Sequence, residues 1–193
     1  MRIVGGTNKG RRLNAPTNGN IRPTSDRIRE ALFNVLAHST LPGFSLEGAR
    51  VLDLFAGTGA LGFEALSRGA AFTVFVEDDT EARGLIRDNG EALGSDGHSK
   101  IFKRDATRLG ARMAGAGPAF DLLFADPPYA KGLGEKALIS ARDGDWLSPG
   151  ALCIVEEKSQ VDFDIPDGFQ LFKERRYGDT KILMLHYTGA AAE

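Results

Sequence analysis

The chain has 193 residues, 42% of them hydrophobic and 26% charged, which suits one ordinary globular domain. Its single cysteine, Cys153, excludes an internal disulfide, and the sequence contains no apolar run of the roughly 18 residues that a membrane helix needs. We therefore expect a soluble, cytoplasmic protein, and its net charge of −2 argues against strong non-specific binding of nucleic acid.

The first part of the chain is basic. Residues 1–34 carry seven basic and two acidic side chains, so this segment has a net charge of +5 and the remainder has −7. Such asymmetry is typical of a phosphate-binding appendage on an acidic body, although a solvated arm without a partner has the same composition. Short β-prone pieces predict a small hairpin or irregular arm, and the Thr-Ser pair that follows can cap a helix running to about His38. We assign this basic arm and helix to residues 1–43.

From Arg50 onward, apolar strands alternate with helices, which indicates a parallel sheet with crossover helices. The predicted strands are Val51–Leu54, Phe72–Val76, Lys100–Lys103, Phe120–Ala125, Ala151–Glu156, Phe169–Tyr177 and Lys181–Tyr187. The predicted helices after the arm are Ala60–Ser67, Thr80–Leu93, a weaker one near Thr107–Ala114, and Gly134–Arg142. We therefore predict an α/β, Rossmann-like fold over residues 44–188, with a seven-stranded, mostly parallel sheet closed by an antiparallel C-terminal hairpin. A disordered tail is predicted at 189–193.

A glycine-rich loop, Asp53–Gly62, joins the first predicted strand to its helix. Its glycines allow a ligand to approach bare backbone amides at the N-terminus of a helix. Glu77 stands 20 residues after Gly57, at the tip of the second strand, where a carboxylate can accept hydrogen bonds from both hydroxyls of a ribose. At the end of the third strand, Asp105 offers an acceptor for an adenine amino group, beside the small Ala106.

The spacing of Gly57, Gly59 and Gly62 also fits the G-x-G-x-x-G pattern of nicotinamide dinucleotide sites, so the glycines alone leave both cofactors open. Asp53 favours S-adenosylmethionine, because a carboxylate at the end of the first strand repels a pyrophosphate but suits the ammonium of a methionine moiety. The predicted cofactor-binding residues of these loops are Asp53, Phe55, Ala56, Gly57, Thr58, Gly59, Glu77, Asp78, Asp105 and Ala106.

A stiff D-P-P-Y motif, Asp126–Tyr129, follows the fourth predicted strand, which lies next to the first in the expected sheet order. Its two prolines hold the backbone out of helical geometry, so the loop can aim a carboxylate, backbone carbonyls and an aromatic ring at one point. The lone pair of an exocyclic base amine is delocalised into the ring, and acceptors that bind both amine hydrogens localise it on the nitrogen. A tyrosine ring can also stack on the base. The motif therefore predicts a catalytic corner for N-methylation with Asp126 as the acceptor, and an ordinary structural turn is the alternative.

Two other kinds of chemistry are disfavoured. Methylation at C5 of a pyrimidine requires a cysteine nucleophile, whereas Cys153 lies within an apolar predicted strand. The three histidines have no metal-ligand spacing, so we expect no metal site; they are His38, His98 and His186.

Several stretches of this sequence carry a resemblance to a known family. They read VLDLFAGTGALGFEALSRGA, FVE, FDLLFADPPYAKGL and, in the arm, RIVGGTNKGRRL followed by RPTSDRIREALFNVL. Across residues 2–157 the chain resembles the RsmD family, bacterial guanine-N(2) methyltransferases of 16S ribosomal RNA. The glycine loop is shared by many methyltransferases and D-P-P-Y by several amino-methylating families, whereas the arm motif is narrower and favours ribosomal RNA over DNA.

The resemblance implies a class I methyltransferase fold, S-adenosylmethionine as cofactor and methylation of the exocyclic amine of one guanine. It implies that the catalytic residues are Asp126, Pro127, Pro128 and Tyr129, and that Arg22 and Thr24 add contacts with the cofactor. The RNA-binding residues that it implies are Arg2, Lys9, Arg11, Arg12 and Arg27.

The resemblance also implies the setting of the reaction. The substrate would be 16S ribosomal RNA within the small subunit or an assembly intermediate, where ribosomal proteins can contact the enzyme, and the enzyme would act as a monomer. Two alternatives stay open: a DNA adenine or cytosine amino-methyltransferase, and an RNA-binding assembly factor without turnover. The DNA alternative is disfavoured because the chain leaves little length for a separate target-recognition domain.

Overall fold

The computed structural model describes residues 1–15, 26–38, 44–129 and 131–189. Its helices are α1 (Asp26–His38), α2 (Ala60–Ser67), α3 (Thr80–Leu93) and α4 (Leu133–Asp143). Its strands are β1 (Arg50–Leu54), β2 (Phe72–Val76), β3 (Ser99–Phe102), β4 (Phe120–Ala125), β5 (Leu147–Lys158), β6 (Phe169–Tyr177) and β7 (Thr180–Tyr187). Within these ranges, every helix is too short or too polar to cross a membrane.

The strands form one sheet in the order β3-β2-β1-β4-β5-β7-β6. The strands β1 to β5 are parallel to their neighbours, whereas β7 is antiparallel to both β5 and β6. The predicted α/β fold, with a seven-stranded, mostly parallel sheet and an antiparallel C-terminal hairpin, is therefore confirmed. Strand order reverses between β1 and β4, and open α/β sheets bind ligands outside the carboxyl ends of strands at such a point. We call the edge where β1 to β5 end the carboxyl edge.

The central strands are apolar because helices cover both faces of the sheet. On one face, Leu123 of β4 belongs to a buried cluster with Leu138 of α4. On the other face, Phe124 contacts Phe33 of α1, with ring centroids 5.7 Å apart. Packing on both faces holds the strand ends, and therefore the loops at the carboxyl edge, in defined positions.

The N-terminal arm folds back on itself and packs against the sheet domain. An antiparallel bridge joins Arg2 and Arg12, and Ile3 N donates to the carbonyl of Arg11 at 2.9 Å, which confirms the predicted hairpin. Ile3 and Leu13 are buried in a cluster with apolar residues of α2 and α3. The basic arm is thus anchored by its apolar side chains.

A buried carboxylate, Glu64 of α2, ties the arm and α1 to the domain. Its Oε2 accepts a hydrogen bond from Val4 N at 2.8 Å, and its Oε1 accepts one from Arg68 Nε at 2.7 Å. The fully buried Arg29 of α1 has its Nε 3.7 Å from Glu64 Oε2 and donates from Nη2 to Asp26 at 2.8 Å and to a backbone carbonyl of the arm. Charges buried this completely are tolerated only when they are paired, so these residues depend on one another.

The prediction of a helix near Thr107–Ala114 is wrong. The segment forms two short 3₁₀ turns instead, Ala106–Arg108 and Ala114–Ala116. Gly110 lies in the left-handed region, with φ of 65°, and interrupts any helix through this point. The N–H of Arg112 then donates to a carbonyl in the turn after α4, at 2.8 Å, so the backbone is satisfied without helical bonds.

Other bounds follow the predictions closely. Those of α2, β2, α3, β4 and β6 are as predicted, and β3 is displaced by one residue. The strand β5 is longer than the predicted Ala151–Glu156, and its register with β4 shifts between Phe120 and Leu122. The predicted domain boundary at residue 43 and, apart from Gly189, the predicted tail at 189–193 lie outside the described residues.

Candidate active site

Loops from several strands bring predicted site residues together at the carboxyl edge. Asp53 of β1 is level with Phe75 of β2 and Phe124 of β4. Glu77 follows β2 and Asp126 follows β4, and the charges of both act on Asp53. The three carboxylates are therefore within electrostatic reach of one another.

The glycine loop after β1 has a tightly wound backbone. Phe55, Gly57 and Gly59 have positive φ angles of 55°, 54° and 78°, and Gly59 N donates to the carbonyl of Ala56 at 2.7 Å. Glycine is also required at position 59 because a Cβ there would lie 2.6 Å from the ring of Phe63. A non-glycine residue in the left-handed region, such as Phe55, is strained, and such strain concentrates at ligand sites.

Asp53 supports this loop from within the domain. It is 2% exposed, and its Oδ2 accepts a hydrogen bond from Gly62 N at 2.9 Å. Burial raises the pKa of Asp53 well above the ordinary carboxyl value, the Gly62 amide offsets part of this effect, and the charges of Asp126 and Glu77 raise the pKa further. A cation brought beside Asp53 would therefore stabilise its ionised form. The predicted contact of Asp53 with an ammonium group stays a prediction.

Glu77 is half-buried and closes the other side of the loop. Its Oε2 accepts from Gly57 N at 2.8 Å and its Oε1 from Asp79 N at 2.9 Å. Burial raises the pKa of Glu77, partly offset by these two amides. Asp78 is exposed, whereas Asp79 caps α3 by accepting from Ala82 N at 2.8 Å. Binding of a ribose by Glu77 stays a prediction, as does the predicted role of Asp78.

Asp105 caps the 3₁₀ turn that follows β3. Its Oδ1 accepts hydrogen bonds from N and Oγ1 of Thr107, at 2.8 and 2.7 Å, and these bonds lower the pKa of Asp105. The Asp105 side chain is exposed and Ala106 is buried. The pair thus places a charged acceptor beside a small apolar residue, and its contact with an adenine stays a prediction.

The D-P-P-Y motif forms the corner after β4. Pro127 is buried and Pro128 is exposed, while Asp126 and Tyr129 are partly buried. Burial is the main cause of the raised pKa values of Asp53 and Tyr129, and the charge of Asp126 adds to both. Asp126 therefore lies within electrostatic reach of the β1 loop on one side and of the tyrosine on the other. The catalytic roles of the four motif residues stay predictions.

Tyr129 is held at its hydroxyl by a residue that sequence reasoning missed. The hydroxyl donates to Glu156 Oε1 at 2.5 Å and lies 3.4 Å from Thr180 Oγ1. Burial, then the bond to Glu156, raises the pKa of Tyr129, so the phenol remains a donor at neutral pH. Sheet order could have revealed this contact, because Ala125 pairs with Val155 and the residues that follow them therefore share a level of the sheet.

A second missed residue, Asn89 of α3, joins the arm to the glycine loop. Its Nδ2 donates to the carbonyl of Thr58 at 3.0 Å and to that of Asn14 at 3.2 Å, and its Oδ1 accepts from Asn14 N at 2.7 Å. No local pattern marks Asn89, because its partners are 31 and 75 positions away. The arm therefore reaches the loop that is predicted to bind the cofactor.

The basic side chains of the arm are partly exposed and partly engaged. Arg11 donates to the carbonyl of Ala92, and Arg2 forms a 3.4 Å ion pair with Asp26. Three further basic side chains are exposed: Lys9 and Arg12 in the arm and Arg27 in α1. Two predicted cofactor contacts, Arg22 and Thr24, lie outside the described residues. RNA binding by the arm stays a prediction.

Comparison with known proteins gives matches over nearly the whole chain. The family model described as "Conserved hypothetical protein 95" matches residues 1–186. The ribosomal RNA small subunit methyltransferase D of Escherichia coli (strain K12) is 35% identical over 179 residues, which are 92% of this chain and 85% of that protein. The protein of the same name from Haemophilus influenzae is 33% identical over 178 residues, 92% and 89% of the two chains. The solved structure of yhhF from Escherichia coli has a TM-score of 0.80 and 32% identity over 98% of each chain.

Proposed function

Because the chain belongs to the RsmD family, we propose that it is an S-adenosylmethionine-dependent methyltransferase acting on the exocyclic amine of a guanine in 16S ribosomal RNA. The observation that carries the proposal is the meeting of the glycine loop after β1 with the D-P-P-Y corner after β4, where Asp126 acts on the buried Asp53. The names of the relatives support small-subunit RNA as the substrate.

The residues of the glycine loop fit S-adenosylmethionine better than a dinucleotide. When ionised, Asp53 and Glu77 attract a cationic ligand, which offsets the effect of burial that raises their pKa values, whereas a pyrophosphate would be repelled. Asp53 would bind the ammonium group, Glu77 the ribose hydroxyls and Asp105 the adenine amine. When bound, the cofactor supplies a methyl group activated by a sulfonium.

The D-P-P-Y corner prepares the amine. Asp126 and neighbouring backbone carbonyls accept its two hydrogens, which favours a pyramidal nitrogen with a localised lone pair. Tyr129, fixed at its hydroxyl by Glu156, orients the base by stacking, an interaction worth about 1–3 kcal/mol. A strong base is not needed before transfer, because the amine proton becomes acidic only afterwards, when Asp126 can accept it. The corner therefore contributes mainly alignment.

Transfer of a labelled methyl group tests this function. Purified small subunits, protein-free 16S RNA and duplex DNA are each incubated with the protein and labelled S-adenosylmethionine. We expect label in RNA, free or within subunits, and none in DNA. Label in DNA would support amino-methylation of DNA, and binding of RNA without transfer to any substrate would support an assembly factor; either result would overturn the proposal.

We also propose that the target RNA is presented within the small subunit or an assembly intermediate, with contacts to ribosomal proteins. A cytoplasmic monomer would carry out the reaction. Rates on subunits and on protein-free RNA, compared under the same salt, test the first point, and light scattering of the purified protein tests the second.

The affinity for S-adenosylmethionine should depend on the ionisation of Glu77. Its pKa is raised above the ordinary value of 4.5, so the acceptor form is complete above the raised pKa and is lost as the pH falls through it. We expect affinity, measured by calorimetry, to fall by about tenfold for each pH unit below that point. Glu77→Gln should weaken binding at neutral pH and make the affinity less dependent on pH. The remaining pH dependence would come from Asp53.

The matched control for this test is Glu91→Gln, the same change at an exposed position of α3. The control should follow the wild-type pH profile. If the affinity of Glu77→Gln depended on pH in the same way as that of the wild type, Glu77 would not bind the cofactor.

A further inference from the structure

Basic side chains of the C-terminal strands lie at the carboxyl edge, on the far side of Tyr129 from the arm. Lys158 ends β5 and pairs with Thr180, which in turn pairs with Tyr177 at the end of β6. This pairing brings the end of β6 to the edge where the D-P-P-Y corner lies. Three exposed cations stand there, which we call the hairpin cations: Lys158, Arg175 and Arg176.

Lys158 stands at the rim of the catalytic corner. Its Nζ lies 5.9 Å from the centroid of the Tyr129 ring, and its backbone N–H donates to Glu157 Oε1 at 2.8 Å. A cation–π contact at an exposed position is weak, so a phosphate can draw the ammonium away from the ring. The Lys158 side chain is therefore placed to contact the backbone of a nucleotide whose base stacks on Tyr129.

Arg175 and Arg176 extend the charge along the outer strand. Successive residues of a strand point to opposite faces, so the two guanidinium groups border both faces of the sheet margin. The Nε of Arg176 lies 2.7 Å from Glu174 Oε1, but both side chains are partly exposed, at 62% and 30%. A salt bridge between exposed side chains contributes little free energy, and the guanidinium of Arg176 has further N–H donors that can bind a phosphate.

Two of the acidic groups around these cations are engaged inside the protein. Glu156 and Glu157 are buried, at 8% and 2% exposure, and Glu156 accepts from Tyr129. Among the described residues from 173 to 181, the exposed or partly exposed acids are Glu174 and Asp179. Residues 173–181 carry three exposed or partly exposed cations, Lys173, Arg175 and Arg176, against these two acids, and the exposed Asp162 and Asp164 lie in the loop between β5 and β6.

The arm occupies the opposite side of the site. Thr7 N donates to the carbonyl of Ser67 at 2.7 Å and Arg11 contacts Ala92, so the arm lies on α2 and α3, which adjoin β1 and β2. The hairpin cations lie beyond β5 in the sheet order. The arm reaches the glycine loop through Asn14 and Asn89. The arm and the hairpin cations therefore lie on opposite sides of β4 in the sheet order, and the D-P-P-Y corner follows β4.

We propose that the hairpin cations bind phosphates of the substrate RNA on the side of the target nucleotide opposite to the arm. This inference rests on the proposed function and deepens it, because it identifies a second RNA contact. If the protein binds the RNA backbone on both sides of the target nucleotide, the unstacked base is more readily presented to Tyr129. Phosphate contacts release counterions, so they are detectable in the salt dependence of binding.

The test compares Arg175→Gln/Arg176→Gln with wild type in binding to protein-free 16S RNA and to purified small subunits. We expect about tenfold weaker binding to both at moderate salt, and a slope of log affinity against log salt that is smaller by about two. The KM for RNA should rise while kcat and the calorimetric affinity for S-adenosylmethionine stay unchanged. The matched control is Arg87→Gln/Lys100→Gln, which also removes two exposed positive charges, on α3 and β3.

The outcomes separate this inference from the proposed function. If wild type neither binds nor methylates RNA, the proposed function fails. If wild type is active but the Arg175→Gln/Arg176→Gln variant keeps the wild-type slope, or matches the control, the inference is wrong. Loss of binding to subunits without loss of binding to protein-free RNA would assign the surface to a ribosomal protein and would also overturn the RNA contact.

Discussion

Replacing Asp126 with alanine is expected to lower the rate of methyl transfer at least about 10²-fold, with little change in the affinity for S-adenosylmethionine. Asp126 follows β4 and belongs to the stiff corner that faces the β1 loop, where its charge acts on both Asp53 and Tyr129. Its loss removes the acceptor that localises the lone pair of the amine. Single-turnover transfer and calorimetry of the cofactor measure the two quantities separately.

A second substitution separates the two roles proposed for this carboxylate. Asp126→Asn keeps an oxygen acceptor but cannot take up a proton at neutral pH. We expect it to lose only about tenfold in rate, because the reaction requires an acceptor during transfer and no strong base before it. The matched control, Asp96→Ala, removes an exposed carboxylate from the turn before β3 and should be fully active. Equal losses of transfer and cofactor affinity in Asp126→Ala would refute its catalytic role.

Replacing Glu64 with alanine is expected to lower the free energy of unfolding by about 3–5 kcal/mol. Glu64 is fully buried and accepts from Val4 N and Arg68 Nε, with the buried guanidinium of Arg29 beside it. Its removal leaves a buried positive charge without this carboxylate and releases the arm from α2. Urea unfolding followed by circular dichroism measures the loss, and limited proteolysis measures release of the arm.

The comparison variants make the Glu64 prediction specific. Glu91→Ala, at an exposed position of α3, should change the unfolding free energy by less than about 0.5 kcal/mol. Glu64→Leu combined with Arg29→Met should recover much of the stability, since apolar residues of similar volume can replace a buried ion pair. A Glu64→Ala protein within about 1 kcal/mol of wild type would show that the network is not needed for stability.

Local sequence patterns predicted most of the fold. The helix Thr80–Leu93 has a capping aspartate directly before it and a glycine directly after it, so both signals are local in the sequence. The segment Thr107–Ala114 was mispredicted because its outcome depends on Gly110 and on a hydrogen bond from Arg112 to the turn after α4, a partner distant in sequence. Local pattern therefore succeeded where structure is determined locally.

The candidate site shows the same division. The carboxylates at strand ends could be predicted because parallel strands with crossover helices bring those ends to one edge. Glu156 was missed although sheet order places it level with the D-P-P-Y corner. Asn89 could not be predicted, since its role arises from contacts with residues 31 and 75 positions away. Glu64 was missed for the same reason, because it lies in an otherwise apolar helix and its partner Val4 is 60 positions away.

Nucleoside analysis of methylated RNA tests the central claim most directly. Small-subunit RNA, free or within subunits, is treated with the protein and S-adenosylmethionine, digested to nucleosides and analysed by mass spectrometry. We expect new N2-methylguanosine, at about one per RNA molecule, which Asp126→Ala fails to produce. A methyl group on a ring carbon, on a ribose or on another base, or N2-methylguanosine formed equally well by Asp126→Ala, would contradict this claim.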